Sequence, residues 1–129
     1  MAEPRRDGLG VRTFRIASGA HLLSFTRGNS VNPALHEALA RVPPTADIVI
    51  NVDGLGEDDA LHVIACLSAS PRVRQSPRRV VVVCAESGMR SLFELSGLDR
   101  LVLIEESLDD ALSYVVGRAW LTALGEASP

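Results

Sequence analysis

The densest group of reactive side chains in the sequence is Glu57-Asp58-Asp59-Ala60-Leu61-His62. Three carboxylates followed by an imidazole could hold a metal ion, move a proton or present fixed charge to a partner. Asp58 and His62 are four apart, so a helix would put both on one face, and His36 or Glu57 could add a third ligand. A charged helix start with one histidine is also what an ordinary solvated face carries, so no metal site is expected. Ser87, in Glu86-Ser87-Gly88, falls where a strand should give way to a helix, the position of a nucleophile elbow. The Gly-x-Ser-x-Gly spacing is absent and no histidine and acid can be assigned to it, so helix capping is its expected role. All 13 basic residues are arginine. Schiff-base and lysine-base chemistry are therefore excluded, as is the lysine-bearing phosphate loop. Gly54-Leu55-Gly56 reads as a turn rather than a dinucleotide fingerprint. The expectation is a protein with no catalytic residues and no cofactor.

Cys66 and Cys84 sit inside apolar stretches without metal-ligand spacing and read as buried free thiols. Arg72, Arg74, Arg78 and Arg79 could face phosphates, but no aromatics are interleaved and the net charge is -3, so a solvated connection is expected and nucleic acid is not. With 129 residues, 47% apolar and 22% charged, the chain suits one domain with a real core rather than a disordered segment. No apolar run approaches the ~20 residues that span a bilayer. Residues 1–10 lack the apolar centre of a signal peptide, so no membrane insertion and a cytoplasmic location are expected.

The elements that must position these residues follow from periodicity. Residues 1–10 are expected to be a flexible tail, residues 11–124 the domain, and residues 125–129 a second flexible tail. Val11 to Ile16 and His21 to Arg27 alternate around Ser18-Gly19, which predicts an opening β-hairpin. Gly28-Asn29-Ser30 breaks it, and Asn32 is placed to cap a helix with Pro33 in its first turn and Leu35, Ala38, Leu39 and Val42 inward, stopped by Pro43-Pro44. Ile48 to Val52 and Val80 to Cys84 read as strands covered on both faces. Between them Glu57 opens a helix with Ala60, Val63, Ile64 and Leu67 inward, ending before Pro71. Ser87 should cap a third helix, closed by Gly97. Leu101 to Ile104 reads as the last strand, and Ser107-Leu108-Asp109-Asp110 opens a final helix through Leu112, Val115, Val116, Ala119 and Trp120. Tyr114 and Trp120 are expected to pack on that helix, whose apolar end could serve a homodimer. The fold class is α/β, a mixed sheet with an N-terminal β-hairpin and alternating helices.

From Phe14 to about Val116 the chain resembles a STAS domain, the fold shared by bacterial anti-sigma factor antagonists and the cytoplasmic tails of sulfate transporters. The resemblance is carried by the hairpin strand ending in Gly28, then Asn32-Pro33-Ala34-Leu35-His36-Glu37-Ala38-Leu39, Val80 to Cys84, Ser91 to Asp99, Leu101 to Ile104, and Ser107 to Leu112, in the family's order. Those antagonists carry Asp-Ser-Ser-Gly at the start of the second helix, with a serine as phosphoacceptor. The matching stretch here is Asp59-Ala60-Leu61-His62, where Leu61 or, one residue earlier, Ala60 replaces the acceptor. No Ser, Thr or Tyr occurs from Ala46 to Leu67, and the family's aspartate at the end of the preceding strand is Asn51. A phosphate there would add ≈ -1.5 to -2 charge and could break an interface. This chain cannot be switched in that way. Its three carboxylates either complement the helix dipole or fix the surface in a phosphorylated-like state, the first being the simpler expectation.

The resemblance implies a non-enzymatic, protein-binding regulator in a bacterial sigma-factor circuit, with an anti-sigma factor or switch-type kinase as partner. Its expected contact surface is Asp58, Asp59, Ala60, Leu61 and His62, flanked by Gly28, Asn29 and Gly54. Two further readings stay open: a cytoplasmic STAS subunit of a lipid or anion transport complex, and a small-ligand or nucleotide sensor.

Overall fold

The computed structural model describes residues 11–16, 19–25, 31–75 and 79–127, with the side chains of 31–34 and of 122–127 excepted. The expected N-terminal tail, the turn residue Ser18, the Gly28-Asn29-Ser30 break, Arg78 and residues 128–129 lie outside these. Val11–Arg15 (β1) and His21–Phe25 (β2) pair antiparallel, from Val11 against Phe25 to Arg15 against His21. Gly19, at φ +89°, lets the chain reverse between them, and the Ile16 N–H donates to the Ala20 carbonyl at 2.9 Å.

From β2 onward helices and strands alternate. Val31–Arg41 (α1) leads to Ile48–Asn51 (β3); Glu57–Ala69 (α2) and Pro71–Gln75 (α3) lead to Val80–Val83 (β4). Ser87–Leu95 (α4) and a 3-10 turn, Leu98–Arg100, lead to Leu103–Glu105 (β5), and Leu108–Ala127 (α5) follows. The five-stranded sheet has the order β1-β2-β3-β4-β5, parallel everywhere except between β1 and β2. Each parallel strand is added on the same side of the last, so right-handed crossovers carry α1 to α4 over one face of the sheet. The chain is thus an α/β fold with a mixed sheet.

The core divides accordingly. Leu23, Ile48, Ile50, Val80 and Val82 pack with α1 to α4 through Leu35, Leu39, Val63, Leu67, Val73 and Phe93. Val49, Val81 and Val83 point the other way, against Ala111 and Val115 of α5. β4 is therefore apolar at every position and β3 at all but its last, Asn51, and burying each such apolar side chain stabilises by ≈ 1.5–3 kcal/mol.

Several local expectations need correction. α1 starts at Val31, ahead of Asn32. Pro33 is then its third residue, still within the first four positions whose N–H groups have no helical acceptor, so the proline costs no bond. The stretch after Pro71 is a short helix, with proline at its first position. Ser87 does not cap α4: Glu86 holds the cap position and makes no side-chain capping bond. The last strand begins at Leu103 rather than Leu101, because Gly97, at φ +81°, throws the chain into the 3-10 turn, where the Leu101 and Val102 N–H groups donate to the Leu98 carbonyl. Ser107 caps α5 as the sequence suggests, its Oγ accepting the Asp110 N–H at 3.1 Å. That helix runs to Ala127, beyond the point where fraying is expected. Its inward stripe is Leu108, Ala111, Tyr114 and Val115, and Trp120 is 63% exposed rather than packed.

Candidate functional site

The carboxyl ends of β3 and β4 are held together by side-chain hydrogen bonds. Asn51 Oδ1 accepts the Asp53 N–H at 3.0 Å, and Asp53 Oδ1 accepts the Ala85 N–H at 2.9 Å. Gly54, exposed at φ +92°, completes the turn. The loop into α2 is thereby fastened to the loop into α4. α2 opens behind Gly56 without a side-chain cap, and Glu57, Asp58 and Asp59 form its first turn. These carboxylates complement the helix dipole without capping it.

Of the residues expected to contact a partner, Asp58 and His62 are exposed, Asp59 is partly exposed, and Leu61 is 48% exposed. Ala60 is fully buried in the core against α1 and the sheet, so it offers no contact surface; helical geometry that turns Leu61 outward turns its neighbour in. Gly28 and Asn29 lie outside the described residues. Among those residues no group of three or more His, Cys, Asp and Glu side chains could hold a metal ion. Cys66 and Cys84 are free and buried, and burial pushes both thiols above their ordinary pKa.

Sequence reading missed the other half of this end of the molecule. A crevice of about 430 Å³ lies between the starts of α2 and α4, lined by Leu55, Gly56 and Glu57 on one side and Glu86, Gly88, Met89 and Leu92 on the other. The strand-to-helix junctions after β3 and β4 lie side by side because these parallel strands are neighbours in the sheet. On the β5 side Arg90 pairs with Glu106 at 2.8 Å.

Of the four arginines expected to form a solvated connection, the three described ones, Arg72, Arg74 and Arg79, are structural instead. Arg72 donates to the carbonyls of Val42 (2.6 Å), Pro43 (2.6 Å) and Ala46 (2.9 Å), clasping the α1–β3 loop. Arg74 donates to the Ser68 carbonyl at 3.0 Å and Arg79 to the Thr45 carbonyl. Asp47 Oδ1 is approached by Arg118 at 3.3 Å and Arg79 at 3.6 Å, as ion pairs without hydrogen-bond geometry. Burial raises the Asp47 carboxyl above its ordinary pKa, more than Arg118, Arg79 and Arg72 lower it.

Charge is consequently sorted along the strand direction. Among the described residues the carboxyl ends gather Asp53, Glu57, Asp58, Asp59, Glu86, Glu105, Glu106, Asp109 and Asp110 against Arg12 and Arg90, and the amino ends gather Arg15, Arg41, Arg72, Arg74, Arg79, Arg100 and Arg118 against Asp47, Glu94 and Asp99. Among the described residues no helix is long and apolar enough to cross a membrane. No protein-family model, curated protein or solved structure matches the chain.

Proposed function

We propose that the protein is a non-enzymatic regulator that works in the cytoplasm by binding another protein through the start of α2, in the manner of an anti-sigma factor antagonist. The reading rests on the ordered sequence motifs, and one structural observation carries its surface: Leu61 stands half exposed among the carboxylates of an uncapped first helical turn. Apolar contact ringed by charge is how protein interfaces combine affinity with partner choice. Of the two positions the resemblance offers for the missing hydroxyl, Ala60 is enclosed and Leu61 is half exposed, beside Asp58 and Asp59. On this reading Asp58 and Asp59 supply fixed charge beside the position at which the resemblance puts a switchable one, besides complementing the helix dipole.

The partner would be an anti-sigma factor or a switch-type kinase with a basic docking face. Nucleotide sensing fits less well, since a nucleotide's phosphates entering the crevice would meet Glu57 and Glu86. The test is affinity capture from the native host with wild-type and Asp59→Arg proteins, partners being identified by mass spectrometry. Loss of a sigma-regulatory kinase or anti-sigma factor with the variant supports the reading. Recovery of an ATPase and permease would move the protein to a transport complex, and equal capture by both proteins would refute the surface.

A further inference from the structure

We propose that the crevice between α2 and α4 receives an arginine side chain of the partner protein; this rests on the protein-binding reading above and names its recognition chemistry. Its lining combines the buried or half-buried apolar side chains of Leu55, Met89 and Leu92 with two exposed glutamates, Glu57 and Glu86. Among the described residues neither carboxylate has a hydrogen-bond or ion-pair partner. Arg90, on the same helix as Met89, is engaged by Glu106 and does not fill the space.

This combination selects one kind of occupant. Apolar side chains take a methylene stem, while two carboxylates take a planar head with several N–H donors. Arginine presents both, and a guanidinium between carboxylates forms charge-assisted hydrogen bonds. An apolar side chain would leave the carboxylates unused, and an anionic one would be repelled. The helix starts of α2 and α4 contribute roughly half a positive charge each, which Glu57, Asp58, Asp59 and Glu86 outnumber. A Cβ on Gly56 or Gly88 would meet nothing within 4 Å, and neither needs a left-handed backbone. The space can therefore be filled by substitution without straining the fold.

The probe is N-acetyl-arginine methylamide, with the isosteric, uncharged citrulline compound as control, titrated into protein carrying methyl labels on methionine and leucine. The expected result is movement of the Met89 and Leu92 methyl signals with the arginine compound, little with citrulline, and none in Glu57→Gln/Glu86→Gln or in Gly88→Leu. Equal response to both compounds, or none at tens of millimolar, would overturn the proposal. The same variants, checked for unchanged circular dichroism, go into the capture experiment, where loss of the charge-assisted hydrogen bonds to the partner's arginine should weaken the complex about tenfold or more. If Asp59→Arg releases the partner while the crevice variants hold it, the crevice assignment fails alone. If no variant releases it, the α2 surface fails as well.

Discussion

Replacing Arg72 by methionine keeps the apolar stem and removes the three donors that hold the α1–β3 loop. The bonds to Val42 and Ala46 are partly buried, whereas the one to Pro43 is exposed and water can replace it. Taking each partly buried charged bond at the low end of ≈ 1.5–3 kcal/mol gives a loss of about 3 kcal/mol. Against this, Arg72 Nε is buried without an acceptor, and burial also lowers the guanidinium pKa. Removing that unsatisfied donor recovers about 1 kcal/mol, so the net destabilisation is about 2 kcal/mol. The assay is urea unfolding followed by far-ultraviolet circular dichroism, because the single tryptophan, Trp120, is largely exposed in the native state and would report poorly. With a slope of about 1.5 kcal/mol per molar, the midpoint should fall by roughly 1.3 M. Arg72→Lys keeps the charge, but its ammonium cannot span three carbonyls, and it should lose more than half as much. A midpoint within about 0.3 M of wild type for the methionine variant would refute the reasoning and show that water serves these carbonyls as well as the arginine does.

Asp47→Asn should change the pH dependence of stability. The folded carboxyl has a raised pKa, so its contribution is fully present below the unfolded value and is lost as pH rises through the folded one. Denaturation curves from acid to neutral pH should show that decline in wild type and not in the variant; parallel profiles would contradict it. Phe93→Ala empties a fully buried site and should cost about 3–5 kcal/mol by the same unfolding assay; a loss below about 1 kcal/mol would mean the core refills. Ser107→Ala removes the α5 cap and should cost about 1 kcal/mol, with the result discarding the cap if stability is unchanged. Cys66 and Cys84 should resist iodoacetamide in the native protein and react in urea, as mass spectrometry can count. Trp120 and Leu121, 63% and 71% exposed, lie on the open side of α5, so if the protein is a homodimer there, Trp120→Glu should lower its sedimentation coefficient.

The parts of the fold legible in the sequence were those where one periodicity dominated. Val80 to Val83 is apolar throughout, and the helix over Glu57–Ala69 turns Ala60, Val63, Ile64 and Leu67 inward at the expected spacing. Boundaries set by local hydrogen bonds were less legible: Val102 is buried and β-branched like a strand residue, yet its N–H is taken by the Leu98 carbonyl. Arg72 misled for a related reason. Its sequence neighbours are polar and charged, and only the chain reversal at Pro43-Pro44 brings three carbonyls to its guanidinium. At the candidate site, the exposed carboxylates and Leu61 could be read directly from helical phase. The contribution of Glu86, Met89 and Leu92 depends on which helix lies beside α2, a fact of sheet order that residue types near α2 do not encode.

Parallel strands also give the molecule an electrical axis. Among the described residues carboxylates outnumber arginines at one end of the sheet and arginines outnumber carboxylates at the other, which adds a dipole along the strands to a modest net charge of -3. A cationic body approaching by diffusion would exert a torque as well as an attraction, turning the acidic end toward itself before contact. Orientation, usually the slow part of a protein encounter, would then be partly solved at long range. Added salt should slow such association steeply while leaving dissociation almost untouched, since at physiological ionic strength the field fades over about 8 Å. The same axis opposes like-facing approach of two copies and favours arrangements that set the acidic end of one beside the arginines of the other.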